Sequence, residues 1–82
     1  LYTRRYHCLW EGLAVRTARA HMEDEPFTPV ELGFDESWLY DGGDWQSLLF
    51  RADNVVVSVE GPVDFTDPDI LSAVLERIDQ EV

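Results

Sequence analysis

Two apolar runs joined by Asp53-Asn54 restrict this chain more than any other feature of it. Asp and Asn both tolerate the left-handed backbone that a tight two-residue turn demands, so the dipeptide predicts a hairpin over residues 46–60. With that turn, Ala52 falls opposite Val55, Phe50 opposite Val57 and Leu48 opposite Val59, and all six share one apolar face. The other face carries Ser47, Leu49, Arg51, Val56, Ser58 and Glu60 and is mostly polar. Strand side chains alternate with period two, so a slip of one residue would mix the two sets; the register is well specified. Gly61-Pro62 ends the second strand.

The hairpin's apolar face needs a cover, and residues 68–80 predict one. Thr66 and Asp67 are N-cap residue types, and Pro68 suits a first turn, where its missing N–H costs nothing. Ile70, Leu71, Val74, Leu75 and Ile78 then form one apolar stripe, with Glu76, Arg77, Asp79 and Gln80 on the far side. Upstream, Tyr2, Tyr6, Cys8 and Trp10 alternate with Thr3, Arg5, His7 and Leu9, which predicts a strand. Glu11-Gly12 either turns the chain back through Leu13, Val15 and Thr17, placing Arg4 opposite Arg19, or makes a bulge in one long strand. Residues 21–35 read as a connecting loop. Ser37 to Tyr40 read as a short strand, joined through Asp41-Gly42-Gly43-Asp44 to the strand starting near Trp45. The expected fold is α+β: an antiparallel sheet of four to five strands with one C-terminal helix packed on one face.

Eighty-two residues, 45% of them hydrophobic, suffice for a single domain spanning 1–82 and for no second core. The chain begins at Leu1 rather than Met, which suggests a processed product or a fragment and leaves the compartment open. Its lone cysteine, Cys8, permits no internal disulfide, and no apolar run approaches the length of a membrane span. Charge is the least ordinary feature: seventeen acids oppose six arginines, with no lysine. Residues 1–21 carry a net of +3 and residues 22–82 a net of −14. A solvated acidic surface, a high-salt or GC-rich host, and a face that captures a basic protein all fit this balance. It disfavours nucleic acid and anionic lipid as partners, with a local exception where Arg4, Arg5, Arg16 and Arg19 mix with Tyr2, Tyr6 and Trp10.

Catalytic and metal-binding signals are weak. His7, Cys8, His21 and Glu23 show neither CxxC nor HExxH spacing, and neighbouring strand residues point to opposite faces. Ser37, Ser47, Ser58 and Ser72 lie in no nucleophile-elbow pattern. Glu23-Asp24-Glu25 reads as a solvated loop. Asp64, Asp67 and Asp69 lack the glycine and terminal glutamate of a calcium loop and read as a helix start. No catalytic residue, metal or cofactor is expected. The best candidate interaction surface is the acidic, aromatic segment of Asp35, Glu36, Trp38, Tyr40, Asp41, Asp44 and Trp45, since Trp and Tyr make large contacts at low entropic cost. The competing reading, which the residues favour, makes Trp38 and Trp45 core anchors that close a small sheet edge.

The stretch Gly33-Phe34-Asp35-Glu36-Ser37, followed by Leu49-Phe50-Arg51-Ala52-Asp53-Asn54-Val55-Val56-Val57 and a C-terminal helix, resembles small bacterial and archaeal extracytoplasmic domains. These are lipoproteins and sensor-kinase ectodomains, and the resemblance covers residues 33–80. Phe34 interrupts their Gly-Asp step, and their disulfides are missing here. The resemblance implies a non-enzymatic surface domain and transfers no functional residue. The expected function is a non-catalytic binding or accessory domain of an extracytoplasmic protein. The alternatives are a small acidic inhibitor that masks a basic partner and an enzyme of unassigned chemistry.

Overall fold

The computed structural model describes residues 1–23 and 25–80, with side chains to residue 77 in the last helix. Five strands, β1 (Tyr2–His7), β2 (Thr28–Pro29), β3 (Glu36–Asp41), β4 (Gln46–Ala52) and β5 (Val55–Gly61), form one antiparallel sheet in the order β1-β5-β4-β3-β2. Helix α1 (Glu11–His21) lies on one face, and α2 (Pro68–Gln80) follows the last strand on the other. The α+β class, the antiparallel sheet and the C-terminal helix are as the sequence predicts.

The β4–β5 hairpin has the expected register, with Ala52 opposite Val55, Phe50 opposite Val57 and Leu48 opposite Val59. Asp53 takes the left-handed φ of 56°. Asn54 stitches the turn to the end of β1: its carbonyl accepts the Cys8 N–H at 2.8 Å, and its side-chain amide donates to the Cys8 carbonyl at 2.7 Å. Leu48, Phe50, Val57 and Val59 form the core beneath α2 with Phe65 and Val74, and Phe34 stacks on Phe50 at 4.2 Å. Ile70, Leu71 and Leu75 pack against this core as predicted; the Ile78 and Asp79 side chains and Asp24 lie outside the described residues. Asp67 caps α2 by accepting the Asp69 N–H, and its carbonyl accepts the Leu71 N–H. Buried Gln46 fixes the approach to the helix by accepting the Phe65 N–H at 2.9 Å.

Residues 11–21 correct the expectation of a returning strand. They form α1, and β1 pairs with β5 instead, so Arg4 stands opposite Ser58 and Arg19 lies in the last helical turn. Neither a Glu11-Gly12 hairpin turn nor a bulge exists. The physical reason lies in Ala14, Ala18 and Met22, spaced by four: both alanines are fully buried, and Met22 packs with them against Leu49 and Val56. Three alanines and two arginines favour helix, Glu11 sits at the positive end of the dipole, and Arg19 and His21 sit at the negative end. The alternation of Leu13, Val15 and Thr17 is real but secondary to this stripe.

The α1 face therefore has a core of its own, centred on Ala14, Ala18, Leu49 and Val56. Arg51, on the same face, is buried and holds three carboxylates. Its Nε donates to Glu36 at 2.9 Å, and its Nη1 reaches Glu11 at 3.3 Å, the Asp53 carbonyl at 2.9 Å and Asp35 at 3.8 Å. One guanidinium thus ties α1, the 33–36 loop and β3 to the hairpin.

Candidate functional site

Helix α1 is only eleven residues long, so it covers part of its sheet face and leaves the rest open. The strand register gives the pattern of that face row by row. Next to the β4–β5 turn stand Tyr6, Val56, Arg51 and Glu36; then come Arg4, Ser58, Leu49 and Trp38; then Tyr2, Glu60, Ser47 and Tyr40. Beneath α1 the sheet offers apolar Leu49, Val56 and Trp38 and the ion-paired Arg51, whereas Arg4 and Ser58 make the middle row partly polar. The last row is composed of hydroxyls and one carboxylate.

Residues of the second and third rows floor a concavity of about 220 Å³. Ser47, Leu49, Ser58 and Glu60 come from the central strands and Arg4 from β1. His21, at the end of α1, and Glu25 and Phe27, in the following loop, supply the wall. His21 lies against the Tyr6 ring at 5.0 Å, and Phe27 against Tyr40 at 5.8 Å. Ser47 donates to the Glu60 carboxylate at 3.3 Å. The Arg4 guanidinium donates through Nε and Nη2 to the Tyr2 hydroxyl at 3.1 and 2.9 Å and lies over that ring. Hydrogen bonds to Tyr2 and Tyr6 push the Arg4 pKa up further. Opposite charges thus share one small cavity, and among the described residues Arg4 and Glu60 form no ion pair with each other.

The seven residues of the predicted interaction surface fall into separate places along β3. Asp35 and Glu36 sit at the hairpin end; Glu36 is ion-paired with Arg51, and Asp35 accepts the Asp53 N–H at 2.6 Å. Both border, with Trp38, a concavity of about 290 Å³, and Trp38 packs against the core under α1. Tyr40 leans on Phe27 beside the polar cavity. Asp41, Asp44 and Trp45 lie at the other end of the strand, about 17 Å away at the rise of an extended chain. There Trp45 is 47% exposed. Asp41 caps the turn by accepting the Gly43 N–H at 2.9 Å, and the Gly42 N–H donates to the Trp45 carbonyl at 2.9 Å. A Cβ on Gly42 would come within 2.7 Å of that carbonyl, and Gly43 has φ 85°, so the turn needs both glycines. Asp41 and Asp44 border a third concavity, with Asp64 across it.

The other candidates are scattered. His7 and Cys8 point to opposite faces of the sheet, and Cys8 Sγ lies 3.8 Å from the Thr17 hydroxyl under α1. Among the described residues no three His, Cys, Asp or Glu side chains gather as metal ligands. Asp64 accepts hydrogen bonds from the Thr66 hydroxyl, the Thr66 N–H and Gln46, and these hold its carboxyl below the ordinary range, the hydroxyl most of all. No described helix is long and apolar enough to cross a membrane.

Sequence reasoning places Ser47, Ser58 and Glu60 on a mostly polar hairpin face and assigns them no site. The signal of a site was nevertheless there: polar side chains on two interior strands of a sheet whose same face also carries Leu49 and Val56. Arg4 joins them through the pairing of β1 with β5, and His21, Glu25 and Phe27 through the path of α1 and its loop; no local spacing encodes either. No protein-family model matches the chain, and neither does any curated protein or solved structure.

Proposed function

We propose that this chain is a non-catalytic binding or accessory domain that docks a basic protein through the turn between β3 and β4. The observation that carries the reading is Trp45, half exposed on a turn braced by hydrogen bonds and flanked by exposed Asp41 and Asp44. An aromatic side chain held in place contributes contact area at little entropic cost, and flanking acids steer a cationic partner. Asp35 and Glu36 already serve Arg51 and add less. An extracytoplasmic setting belongs to the same proposal and rests on the resemblance of residues 33–80 to such domains. The acidic inhibitor is a narrower form of it, in which the basic partner is masked at its own active site.

The test is affinity capture from the native host at low and physiological salt, followed by binding of the purified captured protein. The reading expects one basic protein, an on-rate that falls steeply with salt, and at least tenfold weaker binding when Trp45→Ala, Asp41→Asn and Asp44→Asn are combined. A partner that binds this triple variant as well as the parent chain sinks the assignment of the surface.

A further inference from the structure

None of the β3–β4 turn residues lines the polar cavity beside α1, and its chemistry points to a different kind of ligand. We propose that it binds a small zwitterion, a molecule carrying a primary ammonium and a carboxylate a few bonds apart, as a free amino acid does. Three observations lead there.

The first is the sign of the wall. Glu25 and Glu60 offer two carboxylates to an ammonium, and Arg4 offers a guanidinium to a carboxylate. A simple anion would meet two like charges in this cavity, and a simple cation would meet Arg4. A molecule with both charges meets a partner for each, Glu25 and Glu60 for its ammonium and Arg4 for its carboxylate, with His21 beside them.

The second is the spacing. Arg4 stands opposite Ser58, and Glu60 lies two residues further along β5, a diagonal step of about 7 Å. The two charges do not collapse onto each other. The Tyr2 hydroxyl engages the guanidinium, and the Ser47 hydroxyl engages the carboxylate at 3.3 Å. Each keeps further hydrogen-bonding capacity, since a guanidinium has five N–H donors and a carboxylate about four acceptor sites.

The third is size and shape. A concavity of about 220 Å³ has room for a molecule of amino-acid size. Central strands under a helix ordinarily carry apolar residues, yet here Ser47 and Ser58 stand beside buried Leu49 on the floor. Phe27 gives the wall an aromatic side chain, which suits an ammonium approached by carboxylates. The ammonium is therefore placed between Glu25 and Glu60, and the carboxylate toward Arg4 and the Ser58 hydroxyl.

The experiment is an NMR titration of the full chain, ¹⁵N-labelled, at neutral pH, with the common L-amino acids as probes. Every amino acid that shifts the amides of Ser47, Leu49, Ser58 and Phe27 is then compared with its methyl ester, which lacks the carboxylate, and its N-acetyl form, which lacks the ammonium. At least one amino acid should give saturable shifts at those amides. Its ester and its N-acetyl form should each bind about tenfold more weakly or worse, the loss of one charged hydrogen-bonding partner. Glu60→Gln and Arg4→Met should weaken it by a similar factor, whereas Asp41→Asn with Asp44→Asn should not. The absence of saturable shifts from every amino acid at tens of millimolar overturns the proposal. So does equal binding of the ester or the N-acetyl form, a comparison made on the unaltered protein that holds even if a variant folds poorly.

Discussion

The two faces of the sheet are covered by helices that hold on in different ways. Under α2 the strands present Leu48, Phe50, Val57 and Val59, an unbroken apolar surface, and the helix meets it with Ile70, Leu71, Val74 and Leu75. Under α1 the helix contributes two alanines, and the sheet answers with Leu49, Val56 and a buried arginine that gathers three carboxylates. Large side chains exclude water on the first face. Close approach and a charged tether do so on the second, where the apolar cover ends partway and a polar cavity begins. A small domain can thus be stabilised on one face and leave a polar cavity on the other.

The contrast can be broken most forcefully at Phe50, which is 3% exposed and stacked on Phe34. Phe50→Ala should cost about 3–5 kcal/mol by urea unfolding; a loss under about 1 kcal/mol would mean that the α2 face is not the main core. On the other face, the loss should come from adding volume. Ala18→Leu should cost about 1–3 kcal/mol because α1 has no room to rise from Leu49 and Val56. The same change at exposed Ala20 should stay within about 0.5 kcal/mol. Equal effects at the two alanines would show that α1 does not sit as described.

Arg51→Leu sharpens the comparison further. Glu11 and Asp35 keep access to solvent when the guanidinium is removed and Glu36 keeps part of its own, so none is stranded. The cost should be about 1–2 kcal/mol, with α1 amides losing hydrogen-exchange protection before those of β4 and β5. A uniform loss of protection would contradict the tether. The smallest effect belongs to Asp64, at the approach to α2, whose carboxyl is lowered chiefly by the Thr66 hydroxyl. A lowered acid contributes stability that is fully present above its unfolded value of about 4 and is lost as pH falls through its folded value. Thr66→Ala should therefore move the Asp64 titration upward in a carboxyl NMR experiment and make the 64–67 turn loosen at a higher pH. An unchanged titration would remove the hydroxyl as the cause.

The difference between the faces also explains what could be read from the residues beforehand. The α2 face is written in large apolar side chains at periods of two and about 3.6, and the Asp53-Asn54 turn fixes its register; hairpin, helix and packing all follow. The α1 helix is written in Ala14, Ala18 and Met22, whose small or flexible side chains give a faint periodic signal beneath the louder alternation of Leu13, Val15 and Thr17. Arg51 reads as one polar residue on a polar face, because its carboxylate partners lie 15, 16 and 40 residues away in sequence. The candidate interaction surface at 35–45 is contiguous along the chain but not in space, since an extended strand carries its ends apart. The polar cavity was half visible in Ser47, Ser58 and Glu60, and its wall came from elements whose placement depends on α1.

That helix is the element on which the rest depends, and methyl-resolved NMR addresses it directly. The Ala14 and Ala18 methyl groups should show nuclear Overhauser contacts to the side chains of Leu49 and Val56, with helical connectivities running from Glu11 to His21. Cross-strand contacts between residues 13–17 and residues 2–10, with extended connectivities in their place, would mean that the second face of the sheet is not covered by a helix and that the cavity beside it does not exist.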